Sequence, residues 1–197
     1  MAVNLEQYKK FLAEKGNIEE RNAIGVVDVI VGHHTYGNNL RLTELYPHVW
    51  LNGEEEKLEF DLLIELEGKS SFNGHVIKTK RTIGVEFKED NVKKVLAQAI
   101  ARRPYVDYLY IATRSWVHMD FDDLFVMGYY GIGWVIWDED FAKMIVESRW
   151  RQPSESLRYM VERAVRIHLE RVLAKFKHSG SKEKSILEFV GWAYDDR

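Results

Sequence analysis

Asp61, Glu86 and Lys88 are three residues whose types and spacing suit chemistry at a phosphate. Residues 58–66, LEFDLLIEL, alternate: Leu58, Phe60, Leu62, Ile64 and Leu66 fall on one side, and Glu59, Asp61, Leu63 and Glu65 on the other. Period two with one wholly apolar side predicts a half-buried strand. In 83–88, IGVEFK, Ile83, Val85 and Phe87 share one side and Gly84, Glu86 and Lys88 the other. A polar connection carrying Gly, Ser and Asn joins the two, so they read as an antiparallel hairpin whose pleat separates a core face from a chemical face. Asp61 and Glu86 then stand beside each other, and Lys88 points the same way as Glu86. Two carboxylates beside one lysine are costly to bury without a counter-ion. A divalent cation neutralises them, and hard oxygen donors suit Mg²⁺ or Mn²⁺. The ammonium would orient or activate a water, or balance charge on a phosphate, which is an arrangement for metal-assisted phosphodiester hydrolysis.

The flanking sequence supplies the elements that must position this hairpin. Leu5, Tyr8, Phe11 and Leu12 recur at helical spacing and predict a helix over 4–15, stopped by Gly16. A second helix is expected from Ile18 to about Val31, then a loop over His33–Asn39, then a strand in 40–51 interrupted by Pro47. Asp90 is placed to cap a helix over 91–103 with the apolar stripe Val92, Val95, Leu96, Ala99 and Ile100, which Pro104 ends. Residues 106–112 read as a buried strand, so the strand–helix–strand unit predicts a parallel crossover. A short helix near 120–127 and a strand at 132–137 follow. From 154 to 177 a long helix carries Leu157, Val161, Ala164, His168 or Leu169, Val172 and Phe176 along one side, and the tail has room for one more. The fold class expected is α/β, a mixed central β-sheet with flanking helices plus C-terminal helices. Residues 1–150 would form the core with its N-terminal helices, and 151–197 a helical extension packed on it.

Asp61, then 24 residues, then Glu86-Phe87-Lys88 resembles the signature of the PD-(D/E)xK nuclease superfamily, over roughly residues 18–113. Phe60 stands where the family's proline precedes the aspartate. The resemblance implies a restriction-endonuclease-like core and an Mg²⁺-dependent DNA endonuclease. It implies that Asp61 and Glu86 ligate the metal, that the Phe87 backbone carbonyl is a further ligand, and that Lys88 is the catalytic lysine. It also implies a glutamate from a helix before the sheet. Glu20 is the candidate, with Glu19 beside it and Glu44 a poorer choice. Gln98 lies where relatives carry a polar residue that reaches the site, although an ordinary surface residue is the reading favoured here.

Other features are weaker. On spacing alone Asp61 and Glu86 read as solvent-facing residues with Lys88 as a cross-strand partner, and the order of the surrounding elements turns the reading toward a site. Glu65 reads as a solvated charge. His33 and His34 are adjacent and do not converge on a metal, and His168 reads as a packed histidine. Residues 128–133, GYYGIG, lack the lysine of a phosphate loop and read as a turn into a strand. Asp120, Asp122 and Asp123 read as a helix start.

Composition bounds the rest. The chain has 197 residues, 46% apolar and 30% charged, enough for one domain with a proper core. It has no cysteine, which excludes disulfides, thiolate metal sites and a cysteine nucleophile. With 28 Lys+Arg against 31 Asp+Glu there is no chain-wide basic field, so DNA would have to meet local patches. Arg158, Arg163 and Arg166 on the long helix, Lys78, Lys80 and Arg81 before the motif strand, and Arg102 and Arg103 are the candidates. No apolar run suits a membrane span and the N-terminus is not a signal peptide, so a cytoplasmic protein is expected. A homodimer is left open. The alternatives are a catalytically weak nucleic-acid-binding protein with a nuclease-like fold, or an α/β interaction protein.

Overall fold

The computed structural model describes residues 5–15, 21, 24–52, 57–73 and 75–178. Helices α1 (Leu5–Lys15) and α2 (Ile24–Thr35) lead into strands β1 (Leu40–Asn52), β2 (Lys57–Phe72) and β3 (His75–Phe87). Helix α3 (Val92–Arg102), a 3₁₀ turn (Arg103–Tyr105) and β4 (Tyr108–Arg114) follow. Helix α4 (Phe121–Tyr130), β5 (Gly133–Trp137), β6 (Ala142–Val146) and α5 (Glu155–His178) complete the described chain. The six strands form one sheet in sequence order. β1–β2, β2–β3 and β5–β6 pair antiparallel, while β3–β4 and β4–β5 pair parallel. This is the α/β class with a mixed sheet and flanking helices that the sequence predicts.

Both faces of the sheet are covered. One core joins Leu62, Ile64, Leu66, Ile83, Val85 and Phe87 to Tyr8 and Leu12 of α1 and Val26, Val27 and Ile30 of α2. The other joins Leu63, Leu109 and Ile111 to Val95, Leu96 and Ala99 of α3 and Val161, Ala164 and Val165 of α5. Each fully buried Leu, Ile, Val or Phe contributes roughly 1.5–3 kcal/mol through surface removed from water. The expected division into a core face and an open chemical face is therefore corrected: helices close over the second face as well. Helix α5 packs along β1 and contributes Val172 to the first core, so it shields the edge strand.

Local chemistry sets most boundaries. Asn91, not Asp90, caps α3, accepting from the Lys94 N–H at 3.0 Å. Pro104 turns the helix end into the 3₁₀ turn. Asp120 caps α4, accepting from the Asp123 N–H at 2.8 Å, and Gly131 ends it in the left-handed region at φ 68°. The residues read as a loop after Val31 are helical through Thr35. His34 is buried there, with its Nε2 2.8 Å from the Tyr110 hydroxyl. The polar connection expected between the motif strands is itself strand, paired from Gly68↔Thr79 to Phe72↔His75. Strand β6 has no counterpart in the sequence reading. The start of the expected second helix and the tail helix fall outside the described residues.

Arg103, read from sequence as a phosphate contact, is 1% exposed. Its guanidinium donates to four backbone carbonyls: Tyr130 at 3.1 Å, Val106 at 2.8 Å, Asp107 at 3.4 Å and Arg149 at 2.5 Å. Burial lowers its pKa to about 10, which leaves it charged at neutral pH.

Candidate active site

β2 changes course at Asp61. The two strands stay paired from Phe72↔His75 as far as Leu62↔Val85. Leu62, Ile64 and Leu66 face the first core, but Leu58 and Phe60 join the second. The single apolar side expected for 58–66 is thus split between the two faces. Across from Asp61 on β1, between the pairs Pro47↔Leu62 and Val49↔Phe60, His48 takes a positive φ of 54°. The reversal presses Phe60 over Gly84, where an added Cβ would stand 2.9 Å from its Cε1.

As β2 turns away, the Phe87 N–H is left without a strand carbonyl, and Asp61 Oδ2 accepts it at 2.8 Å. In an extended strand the N–H and C=O of one residue point to the same neighbour, so the Phe87 carbonyl also faces Asp61. The charges of both Asp61 and Lys88 act on the Glu86 carboxyl, so the three groups lie close together. The structure therefore gathers Asp61, Glu86, Phe87 and Lys88 at one place, where β3 ends between a departing β2 and the parallel β4.

Glu86 is 0% exposed. Arg102 Nε lies 3.0 Å from its Oε1. The Nε–H is directed to the Glu59 carbonyl. Arg102 thus supplies charge, and neither Glu86 oxygen has a hydrogen-bond donor among the described residues. Burial, then the Asp61 charge, hold the Glu86 carboxyl well above the usual range, while Arg102 and Lys88 pull it down and Glu59 raises it. Gln98 sits one turn before Arg102 on the same side of α3, and its buried Oε1 also lacks a donor. Gln98 is therefore not the ordinary surface residue expected. Glu59 itself lies 3.0 Å from His48 Nδ1.

The remaining candidates separate from this centre. Glu65 is not solvated: it is 7% exposed and pairs with Lys80 at 2.8 Å. Glu44 lines the same hollow as Glu65, where burial and the Glu65 charge raise its pKa. Glu20 and Glu19 lie outside the described residues. Arg102 is buried against Glu86 and is not a phosphate contact. Arg158 sits 3.4 Å from the buried Asp107, and Arg81 3.9 Å from it and over the Trp150 ring, whereas Arg163 and Arg166 are exposed. Burial, then Arg171, lower the His168 pKa to about 4, in keeping with a packed histidine. The signal for Arg102 lay in its position: it is the last residue of the helix whose stripe faces the sheet.

The donor set can be weighed against a divalent ion. Among the described residues no group of three or more His, Cys, Asp or Glu is placed to hold a metal. Mg²⁺ needs fewer, because it keeps several waters and binds through one or two carboxylates and phosphate oxygens. Asp61, the two donor-free oxygens of Glu86 and the Phe87 carbonyl fit that mode, with Arg102 as a competing counter-charge. Among the described residues no helix is long and apolar enough to cross a membrane.

Comparisons with known proteins complete this picture. No family model and no curated protein matches the sequence. A solved structure, the SPO1766 protein of unknown function from Silicibacter pomeroyi, is similar in fold at TM-score 0.49 and 13% identity, covering 86% of this chain and 98% of that one.

Proposed function

We propose that the chain is a metal-dependent nuclease of the PD-(D/E)xK type, with Asp61, Glu86 and Lys88 as its centre. One observation carries the reading. The Glu86 carboxylate is fully buried beside Asp61, and both of its oxygens lack a donor among the described residues. A purely structural carboxylate at that depth is normally hydrogen-bonded. The order α2–β1–β2–β3–α3–β4, with β3 and β4 parallel, supports it.

Asp61, Glu86 and the Phe87 carbonyl would hold Mg²⁺ or Mn²⁺. When bound, the ion supplies charge for the phosphate and acidifies a water. Lys88, half-buried two residues beyond Glu86, places an ammonium where a scissile phosphate or its attacking water would lie. The second core excludes water behind Glu86, which strengthens each of these interactions.

The test is cleavage of plasmid and single-stranded DNA in Mg²⁺ or Mn²⁺, with calorimetric titration of Mn²⁺. Wild type is expected to bind the ion and cleave. Glu86→Ala and Asp61→Ala lose both, and Lys88→Ala binds the ion without turnover. Equal cleavage by wild type and Glu86→Ala overturns the assignment. A second reading has its own support: Arg102 already neutralises Glu86 and Asp61 already serves the Phe87 N–H, as in an α/β interaction or nucleic-acid-binding protein with structural carboxylates. Absence of any Mn²⁺ binding by wild type would favour it.

A further inference from the structure

The β2–β3 hairpin runs beyond the body of the sheet. Pairing with β1 reaches outward only to Leu40↔Gly68, and pairing with β4 begins at Ile83. Residues 69–72 and 75–78 therefore form a two-stranded ribbon without sheet neighbours on either edge. Such a ribbon is marginal in water. Here it carries a further cost, because Lys69 and Lys78 lie directly opposite each other, and like charges in that register repel. Among the described residues neither forms an ion pair, although Lys80 next along is held by Glu65. At the base of the ribbon a hollow of about 770 Å³ is lined by Arg41, Lys69, Lys78 and Lys80 against the single acid Glu67. Asn38, Asn39 and Thr79 add neutral hydrogen-bonding groups to its wall. The tip presents Val76 and Ile77, exposed at 66% and 49%.

Unmatched lysines across a ribbon, a cationic hollow at its root and an exposed apolar tip answer one ligand shape. A two-stranded β-ribbon fits the major groove of B-DNA, where lysines meet phosphates and small apolar side chains meet base edges. We infer that the outer end of the β2–β3 hairpin is a grip for double-stranded DNA, with Lys69 and Lys78 on the phosphates and Val76, on the same face of the ribbon, in the groove. The choice of DNA rests on the nuclease reading, but the grip lies apart from the candidate centre. Lys69 is eight residues from Asp61 and Lys78 eight from Glu86. At the rise of an extended strand that is roughly 26 Å. Only a polymer of about eight base pairs or more reaches both.

The test is fluorescence anisotropy of a labelled 20-base-pair duplex and its single strand, with the full chain in EDTA, so that no metal takes part. Wild type is expected to prefer the duplex. Lys69→Ala/Lys78→Ala removes two phosphate contacts, which lowers the slope of log K against log salt by about 1.8 and weakens binding roughly thirtyfold at 0.15 M salt. Its urea midpoint is not lowered, since a repulsive pair has gone. Val76→Ser weakens duplex binding with the slope unchanged. Unchanged affinity and slope in the lysine variant, or wild type binding single strand as tightly as duplex, overturns the inference. Wild type that grips the duplex in EDTA yet cleaves nothing in Mg²⁺ or Mn²⁺ would count against the nuclease reading alone.

Discussion

Replacing Arg102 with Met tests the charge balance at Glu86 directly. The two groups are 3.0 Å apart, with side chains 8% and 0% exposed. At an effective dielectric near 20 their attraction is about 5 kcal/mol, and removing one partner of a buried pair costs about 3–5 kcal/mol. Methionine keeps an apolar stem in place of the arginine's, so apart from the bond lost to the Glu59 carbonyl, which costs the same at every pH, the loss is electrostatic. The protein can escape by protonating Glu86, at about 1.36 kcal/mol for each pH unit above the ordinary value of 4.5. That route caps the cost relative to the unfolded chain at about 5 kcal/mol at pH 8 and about 1.4 kcal/mol at pH 5.5, and the deficit against wild type is smaller, because wild-type Glu86 is already raised and bears part of it. The sign follows from the direction of the shift. With its folded pKa raised, Glu86 gives stability that is fully present below 4.5 and is lost as pH rises through the folded value. Removing Arg102 raises that value further and carries the loss to higher pH. Urea unfolding followed by tryptophan fluorescence at pH 5.5 and 8 is expected to show a large deficit for Arg102→Met only at the higher pH. Arg102→Met/Glu86→Gln, which removes both charges, should recover most of it. An equal deficit at both pH values, or no recovery in the double variant, refutes the reasoning.

Two further outcomes are expected. Burial, aided by His33, lowers the His34 pKa to about 4, so His34 gives stability that is present above 6.5 and lost as pH falls toward 4. The amount is about 3 kcal/mol. His34→Leu removes that dependence at a pH-independent cost of about 1 kcal/mol for the lost Tyr110 partner, and parallel stability–pH curves for the two proteins would contradict it. In Gly84→Ala the new Cβ would stand 2.6 Å from Leu109 Cδ1 and 2.9 Å from Phe60 Cε1, inside the second core. A loss of about 1–3 kcal/mol follows from overpacking, and an unshifted urea midpoint would show that Phe60 yields freely.

The hairpin and the crossover were legible because their inner segments bury apolar side chains with a clear period. The outer arm was not, because EGKSSF and HVIKTKRT reach past both cores and no burial imposes alternation on them. β6 escaped notice for a related reason: at the sheet edge its five residues are alternately half-buried and exposed, too weak a pattern to read. The end of α2 looked like a loop because its residues are polar, yet His34 is buried against Tyr110. The closeness of Asp61, Glu86 and Lys88 was legible in the hairpin that carries them. Their environment was not, since only tertiary packing puts α3 and α5 over that face. Arg102 and Arg103 show the same limit: a charged pair at a helix end reads alike whether it meets solvent, a carboxylate or four carbonyls.

The Arg103 clamp constrains the order in which the molecule can be assembled. During synthesis α3, the 3₁₀ turn, β4 and α4 leave the ribosome well before Arg149 does. Until then the guanidinium lacks its Arg149 acceptor, and a buried cation short of acceptors favours an open state that water can reach. The half of the sheet built on β4 and β5 therefore closes only once the segment leading into α5 has arrived. β1, β2 and β3, which satisfy one another through consecutive hairpins, need not wait. A nascent chain halted before residue 149 is then expected to hold a formed hairpin layer beside a protease-sensitive remainder.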